Sequence, residues 1–514
     1  MLRWAIDATA LALIVAASPA MQGCSSGSSS GAPDASTDGN SLTDSPAGDA
    51  SAEGGDAGPD CGAMPPTGKQ LVAATDPLVI FKLTADGHAV YEDLTTQELY
   101  AVPIAGGAPS DIGKMTSQGG TVWTHGSAVV YLPSAADPQT SIAPISAWTA
   151  ASGTAVISKS AVAVDSYYYT YDASKDGLYV AYFATKDAST ATLTVSTIDG
   201  KTQTPLATDI DLTNQNCFPP AVQFVNDTLI AQYCDVSTDG GAETATIASF
   251  TAPTFTTVPL GSFSPSQGPV AVDPTGTLAL LPAPGGAGIA TYPLAGGAPT
   301  VIDAAGSAAL FTPTGDILYT TTSTALVRYS AKTATKTTLV TSGLELPIDL
   351  SPDGNWLQAA ARQDTTTGLT DLYLASATTP GPATAVVTTT TTSPQGFTAD
   401  SAYSVFGTNF PTDFGAVTYS LEASKTSGGA ATKVLAAASG ALFTTGSKLV
   451  CNTNQSKTTG AADIVSLDLS TTGAPTTLVT QADPNLFMST TNQVVYSWYC
   501  QENAMAGVWA LTPP

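Results

Sequence analysis

The chain has 514 residues with a net charge of −25, though only 11% of them are charged. Sixteen Lys and Arg are too few to neutralise a run of phosphates, which sets aside nucleic-acid binding and basic-patch attachment to anionic lipid. Gly 46 and Pro 35, with Thr-rich runs such as Val387 to Thr392, point to strands broken by many turns.

The first element is an export signal. Arg3 supplies the positive charge, and Ala8 to Ala17 supplies an apolar core too short to span a bilayer. Asp7 is an awkward residue at its edge. Met21-Gln22-Gly23-Cys24 follows and resembles the bacterial lipobox, in which a cysteine is lipidated through sulfur before cleavage. Gly23 and Cys24 fit that pattern, while Gln22 departs from the usual small residue. Ser18-Pro19-Ala20 offers ordinary cleavage after Ala20 as the alternative. The resemblance implies a signal peptide over 1–23, lipidation at Cys24 and a membrane anchor. Ser25 beside the cysteine, in place of an Asp retention signal, implies an outer-membrane lipoprotein on the periplasmic or cell-surface side.

Residues 24–68 are expected to form a disordered acidic linker. From Ser25 onward they are mostly Ser, Gly, Ala, Pro, Asp and Thr with no aromatic residue, with acids from Asp34 to Asp60 and no base before Lys69. Such a segment cannot bury enough apolar surface to offset its ordering entropy. As a flexible coil, its 44 or so residues span roughly 35–40 Å. Two G-x-S-x-G matches, Gly23 to Gly27 and Gly27 to Gly31, lack the strand and helix a nucleophile elbow needs and are chance matches.

From residue 69 to 514 the chain repeats. Each unit is an apolar strand, a tight turn, a second strand, a third strand and a Gly/Pro-rich exit. The clearest turns lie in Val270 to Leu280, Leu310 to Tyr319 and Ile348 to Leu357. Weaker ones fall at Asp86-Gly87, His125-Gly126, Asp176-Gly177, Asn226-Asp227, Asp400-Ser401, Thr445-Gly446 and Thr491-Asn492. The spacing averages about 45 residues, the period of a four-stranded propeller blade. Third strands echo one another: Leu99 to Pro109 and Ile289 to Pro299 are nearly the same phrase. The expected fold is all-β, a propeller of about 7–10 four-stranded blades in one ring. The last unit lacks a fourth strand, which Gln70 to Ala74 could supply.

At Ser351-Pro352-Asp353-Gly354 the chain resembles the TolB-type repeats, which also occur in the propeller of dipeptidyl peptidase IV. The resemblance covers 69 to 514 and implies the fold, with the signature turn between two blade strands. It implies no activity, because the TolB α/β domain and the peptidase hydrolase domain have no counterpart here.

Five cysteines remain after Cys24. Cys217 and Cys234 share one repeat and are candidates for a local disulfide, and Cys451 with Cys500 for a second one linking the last two repeats. Cys61 is left over in the linker. His88 and His125 sit beside turns of neighbouring repeats, where a solvated turn residue outweighs a base or ligand pair. The aromatic run Tyr167 to Tyr169 with Tyr171, and Tyr496, Trp498 and Tyr499, fit blade cores better than a stacking site. No catalytic set, metal site or cofactor is implied. The expected function is a binding scaffold, monomeric, for an envelope protein, peptide or glycan. The alternative is a propeller glycan lyase or hydrolase.

Overall fold

The computed structural model describes residues 68–513 apart from short internal segments, among them 164–169, 214–219, 237–244, 263–269 and 410–417. The signal, Cys24, Cys61 and almost all of the linker lie outside the described residues. Every regular element described is a β-strand, as alternating short apolar runs between turn residues require.

All strand pairs are antiparallel, and they form ten blades. Five blades are separate four-stranded sheets: 78–114, 221–262, 271–303, 306–340 and 346–390. The second and third (122–162 and 171–211) join through one pairing, Ala161 with Ala184. The last three form one continuous eleven-stranded sheet. There the strand Thr432–Phe443 is the outer strand of the eighth blade and then the inner strand of the ninth.

Closure follows the expected route. The strand Lys69–Ala74 pairs with Met505–Leu511 and completes the tenth blade as its outer strand. Ten apolar clusters then fill the ten seams between consecutive blades. The seam between tenth and first blades holds Val495, Val508 and Ala510 against Leu78, Ile80 and Tyr91. Alternate residues of one strand serve opposite seams. Val90 packs towards the second blade, while Ala89 and Tyr91 pack towards the tenth. Both blade faces are therefore apolar, and among the described residues each blade packs on both of its neighbours.

Candidate functional site

The chain passes up and down each blade, so its connections alternate between the two ends of the ring. One end carries the turns from inner to second strand and from third to outer strand. The ten inner turns there are only two to five residues long. The opposite end carries the second-to-third connections and the links between blades. Three of these, 132–141, 235–244 and 409–418, run to ten residues.

The turn end is a hydrogen-bonded plate. In the seventh blade Ser351 Oγ donates to Asp353 Oδ1 at 2.6 Å and accepts the Trp356 amide at 2.9 Å. Ser174 with Asp176 and Thr398 with Asp400 repeat this in the third and eighth blades. The turn Ser351-Pro352-Asp353-Gly354 does lie between an inner and a second strand. Its Pro presets φ, and Gly354 takes φ +71°. Neighbouring turns are bonded to each other. The Asp353 amide donates to Ser401 Oγ at 3.1 Å, the Ala85 amide to the Gly126 carbonyl at 2.7 Å, and Ser447 Oγ to Asp400. Burial works against ionisation of Asp273, Asp353 and Asp400, but hydrogen bonds from hydroxyls and amides outweigh it and hold all three below the usual carboxylate range. These acids cap turns.

A cavity of about 210 Å³ opens at this end where the inner strands of the tenth, first and second blades finish. Leu83, Ala85, Gly126 and Met488 line it, with Thr84, Thr124 and Ser489. Its hydroxyls are engaged locally. Thr84 donates to Asp86, Thr124 donates to the Leu83 carbonyl, and Ser489 accepts the Gln493 amide. His88 and His125 stand at this same end in adjacent blades. The His88 ring meets Trp148 edge-on at 5.7 Å, and its Nδ1 lies 3.2 Å from Asp86 without an aligned hydrogen bond. The side chain of His125 lies outside the described residues. Among the described residues no group of three His, Cys, Asp or Glu is placed to hold a metal ion.

Two side chains tie inner strands together around the central opening. Asp172 Oδ2 in the third blade accepts the Phe224 amide of the fourth at 2.7 Å, and Gln223 Oε1 accepts the Val270 amide beside the fifth at 2.9 Å. Glu92 is 8% exposed, and burial, with the neighbouring Asp93 charge, raises its pKa. Sequence reasoning missed both acids. The available signal was an acid inside an apolar strand, Tyr171-Asp172-Ala173 and Val90-Tyr91-Glu92.

The cysteines divide. Cys234 is disulfide-bonded and ends its strand, while Cys217 lies outside the described residues. The expected Cys451–Cys500 link is absent, because Cys451 is a free, buried thiol. Cys451 sits within the strand Lys448–Thr453. Its side chain packs with Val405 and Tyr419 towards the eighth blade, whereas Val450 faces the tenth. Strand alternation thus turns the thiol away from the blade that holds Cys500. Burial pushes this thiol up to about 12. Of the aromatic candidates, Tyr171, Tyr496 and Trp498 are core residues, Tyr499 is 39% exposed, and Tyr167 to Tyr169 fall outside the described residues.

No family model and no curated protein matches the chain. Among solved structures it is similar to the eukaryotic initiation factor, at 12% identity and a TM-score of 0.45, covering 72% of this chain and 89% of that one. The dipeptidyl peptidase 4 of Porphyromonas gingivalis gives 10% identity and a TM-score of 0.42, covering 84% of this chain and 65% of that one. This chain therefore spans slightly less than two thirds of the peptidase. The putative TolB of Agrobacterium tumefaciens gives 15% identity and a TM-score of 0.25, covering 39% and 74%. None reaches a TM-score of 0.5, and the ten-bladed ring stands on the chain's own strand order and register.

Proposed function

We propose that the chain is an outer-membrane lipoprotein, anchored through Cys24, whose propeller is a rigid scaffold that binds an envelope protein, peptide or glycan through its long-connection end. The observation that carries this reading is the contrast between the two ends of the ring. One is a plate of short, cross-bonded turns, and the other carries connections of up to ten residues. Rigid scaffolds place recognition in such connections. The outer strand Lys69–Ala74 begins opposite Ala510, on the side of the turn plate. A linker arriving there leaves the opposite end of the ring, where the second and third strands are joined, facing away from the anchor. The connection 235–244 carries Asp235, Asp239 and Glu243 with no Lys or Arg, which suits a neutral or basic partner.

We also take Cys217 as the partner of Cys234. The chain leaves the third blade with Ile210 bridged to Asp235, and it returns with Ala221 opposite Gln232. Both ends of the segment that contains Cys217 thus flank Cys234.

Two measurements test the reading. Intact-mass analysis of the mature protein is expected to find a lipidated N-terminal Cys24; an unmodified chain starting at Met21 overturns the anchor. Cross-linking in whole envelopes is then compared between two variants. Short Gly/Ser turns replacing 235–244 and 409–418 are expected to abolish the partner cross-link. The same replacement of the exposed turn residues 378–382 is expected to leave it intact. Equal cross-linking by both variants overturns the assignment of the binding end.

A further inference from the structure

The tenth blade is the one blade built from both ends of the described chain. Among the described residues its outer strand, Lys69–Ala74, pairs with one neighbour, Met505–Leu511. None of its residues is fully buried, since Lys69, Gln70 and Ala73 are exposed and Leu71, Val72 and Ala74 are half-buried. The register breaks between Gln70 and Val72. Lys69 reaches the Ala105 carbonyl in a turn of the first blade. The strand is loosely held for an element that closes a ring.

The edge it covers is built more tightly. Ala506, Val508 and Ala510 are at most 3% exposed. Gly507 leaves room for the backbone opposite, where a side-chain carbon would stand 2.8 Å from the Val72 carbonyl oxygen. Trp509, which pairs with Gln70, has a buried indole N–H without a hydrogen-bond partner among the described residues. Such an edge is a template for an extended strand whenever its cover leaves.

Three residues, Thr75, Asp76 and Pro77, join Lys69–Ala74 to the inner strand Leu78–Leu83 of the first blade. Pro77 is fixed at its far end, because its carbonyl accepts the Leu94 amide at 3.1 Å. A short hinge beside a terminal strand is the geometry from which identical elements exchange between copies, and the exchanged state keeps every contact except those of the hinge.

We propose that Lys69–Ala74 is an exchangeable strand, and that the edge of Met505–Leu511 accepts the same strand from a second copy of the chain. The second copy is the occupant because its strand matches the edge residue for residue, including the bulge and the carbonyl seated over Gly507. The hinge spans at most about 10 Å, so exchange is reciprocal between two rings that meet at their tenth blades. This inference depends only on the closing pair and not on lipidation.

The test uses full-length chains with two tags. Lys69 and Ala510 are directly opposed. Lys69→Cys on one tagged chain is co-expressed with Ala510→Cys on the other and oxidised. A covalent heterodimer carrying both tags is expected, and it should be absent when either variant is paired with the unaltered chain. The double variant in one chain is expected to give both an internal cross-link and a covalent dimer. Separate single variants alongside a double variant that closes only internally overturn the proposal. A double variant that neither closes nor dimerises overturns it too, by removing the pairing on which it rests. A fluorescein-labelled peptide of residues 68–76 is the second probe and needs no substitution in the protein. Saturable binding to the full chain is expected, and none at peptide excess counts against exchange.

Discussion

Asp172 and Phe224 are 52 positions apart in the chain, yet the carboxylate of one accepts the backbone N–H of the other at 2.7 Å. The bond crosses from the inner strand of the third blade to that of the fourth. Asp172 also takes the Ala173 amide at 2.8 Å and is only 4% exposed. It satisfies inner-edge amides that no fifth strand can reach. Asp172→Ala leaves buried donors unpaired and is expected to cost about 2–3 kcal/mol in denaturant unfolding. Asp172→Asn keeps an acceptor and is expected to cost less than half of that. Equal losses would mean that packing, not acceptance, is what the side chain provides.

Gly126 holds two neighbouring inner turns in contact. Its φ is +58°, and a methyl group there would lie 1.7 Å from the Lys175 carbonyl oxygen. Gly126→Ala combines left-handed strain with overlap against backbone and is expected to cost about 2–4 kcal/mol. By comparison, Gly315→Ala has φ +83° and open space around the added carbon. It carries the strain alone and is expected to lose roughly 1 kcal/mol. Thermal unfolding of the pair separates the two contributions.

Acid and base act on this ring with opposite signs. Burial raises the pKa of Glu92 above its ordinary 4.5. Its contribution is therefore fully present below pH 4.5 and is lost as pH rises through the raised value. Glu92→Gln is expected to gain stability relative to the parent between acid and neutral pH. Asp400 is held below its ordinary 3.8, so its contribution is present above that value and disappears as pH falls through the lowered one. Asp400→Asn is expected to lose stability at neutral pH and to converge with the parent in acid. Unfolding curves at several pH values check both directions.

The Cys451 thiol is fully buried, and burial holds its pKa near 12. Thiolate is the reactive form, so this sulfur is expected to resist iodoacetamide in the native ring and to react only on unfolding. Mass spectrometry after timed labelling measures it. Labelling at the rate of a free peptide thiol would contradict the burial.

Much of the ring was written in local chemistry. Ser351-Pro352-Asp353-Gly354 and its weaker copies announce an inner turn because hydroxyl, Pro, carboxylate and Gly each do a backbone task within five residues. All ten inner turns were legible from such turn residues, many from Gly, Asp or Asn alone, and the fourth strand of the last blade was legible from its absence in the last repeat. The side on which a strand residue points was not legible. Val450 and Cys451 face different seams, yet both seams are apolar, so no polar alternation marks the phase. The unbroken strand Thr432–Phe443, shared by two blades, changes blade at Ser439-Gly440, where the strand shifts register and runs on instead of turning. Asp172 escaped notice for a related reason. Its partner is distant in sequence, and a lone acid in a strand does not name what it will meet.

The pairing of Lys69–Ala74 with Met505–Leu511 gives the molecule a circular plan interrupted at one place. A linear array of repeats needs special end units to shield its last apolar faces. This ring has no such ends, so the position of the interruption is a matter of covalent bookkeeping rather than of structure. A chain opened instead within the exposed turn residues 378–382, with its old ends joined, would have the same ten seams to fill. The break beside the closing strand is the one arrangement in which whatever precedes the propeller acts directly on its clasp.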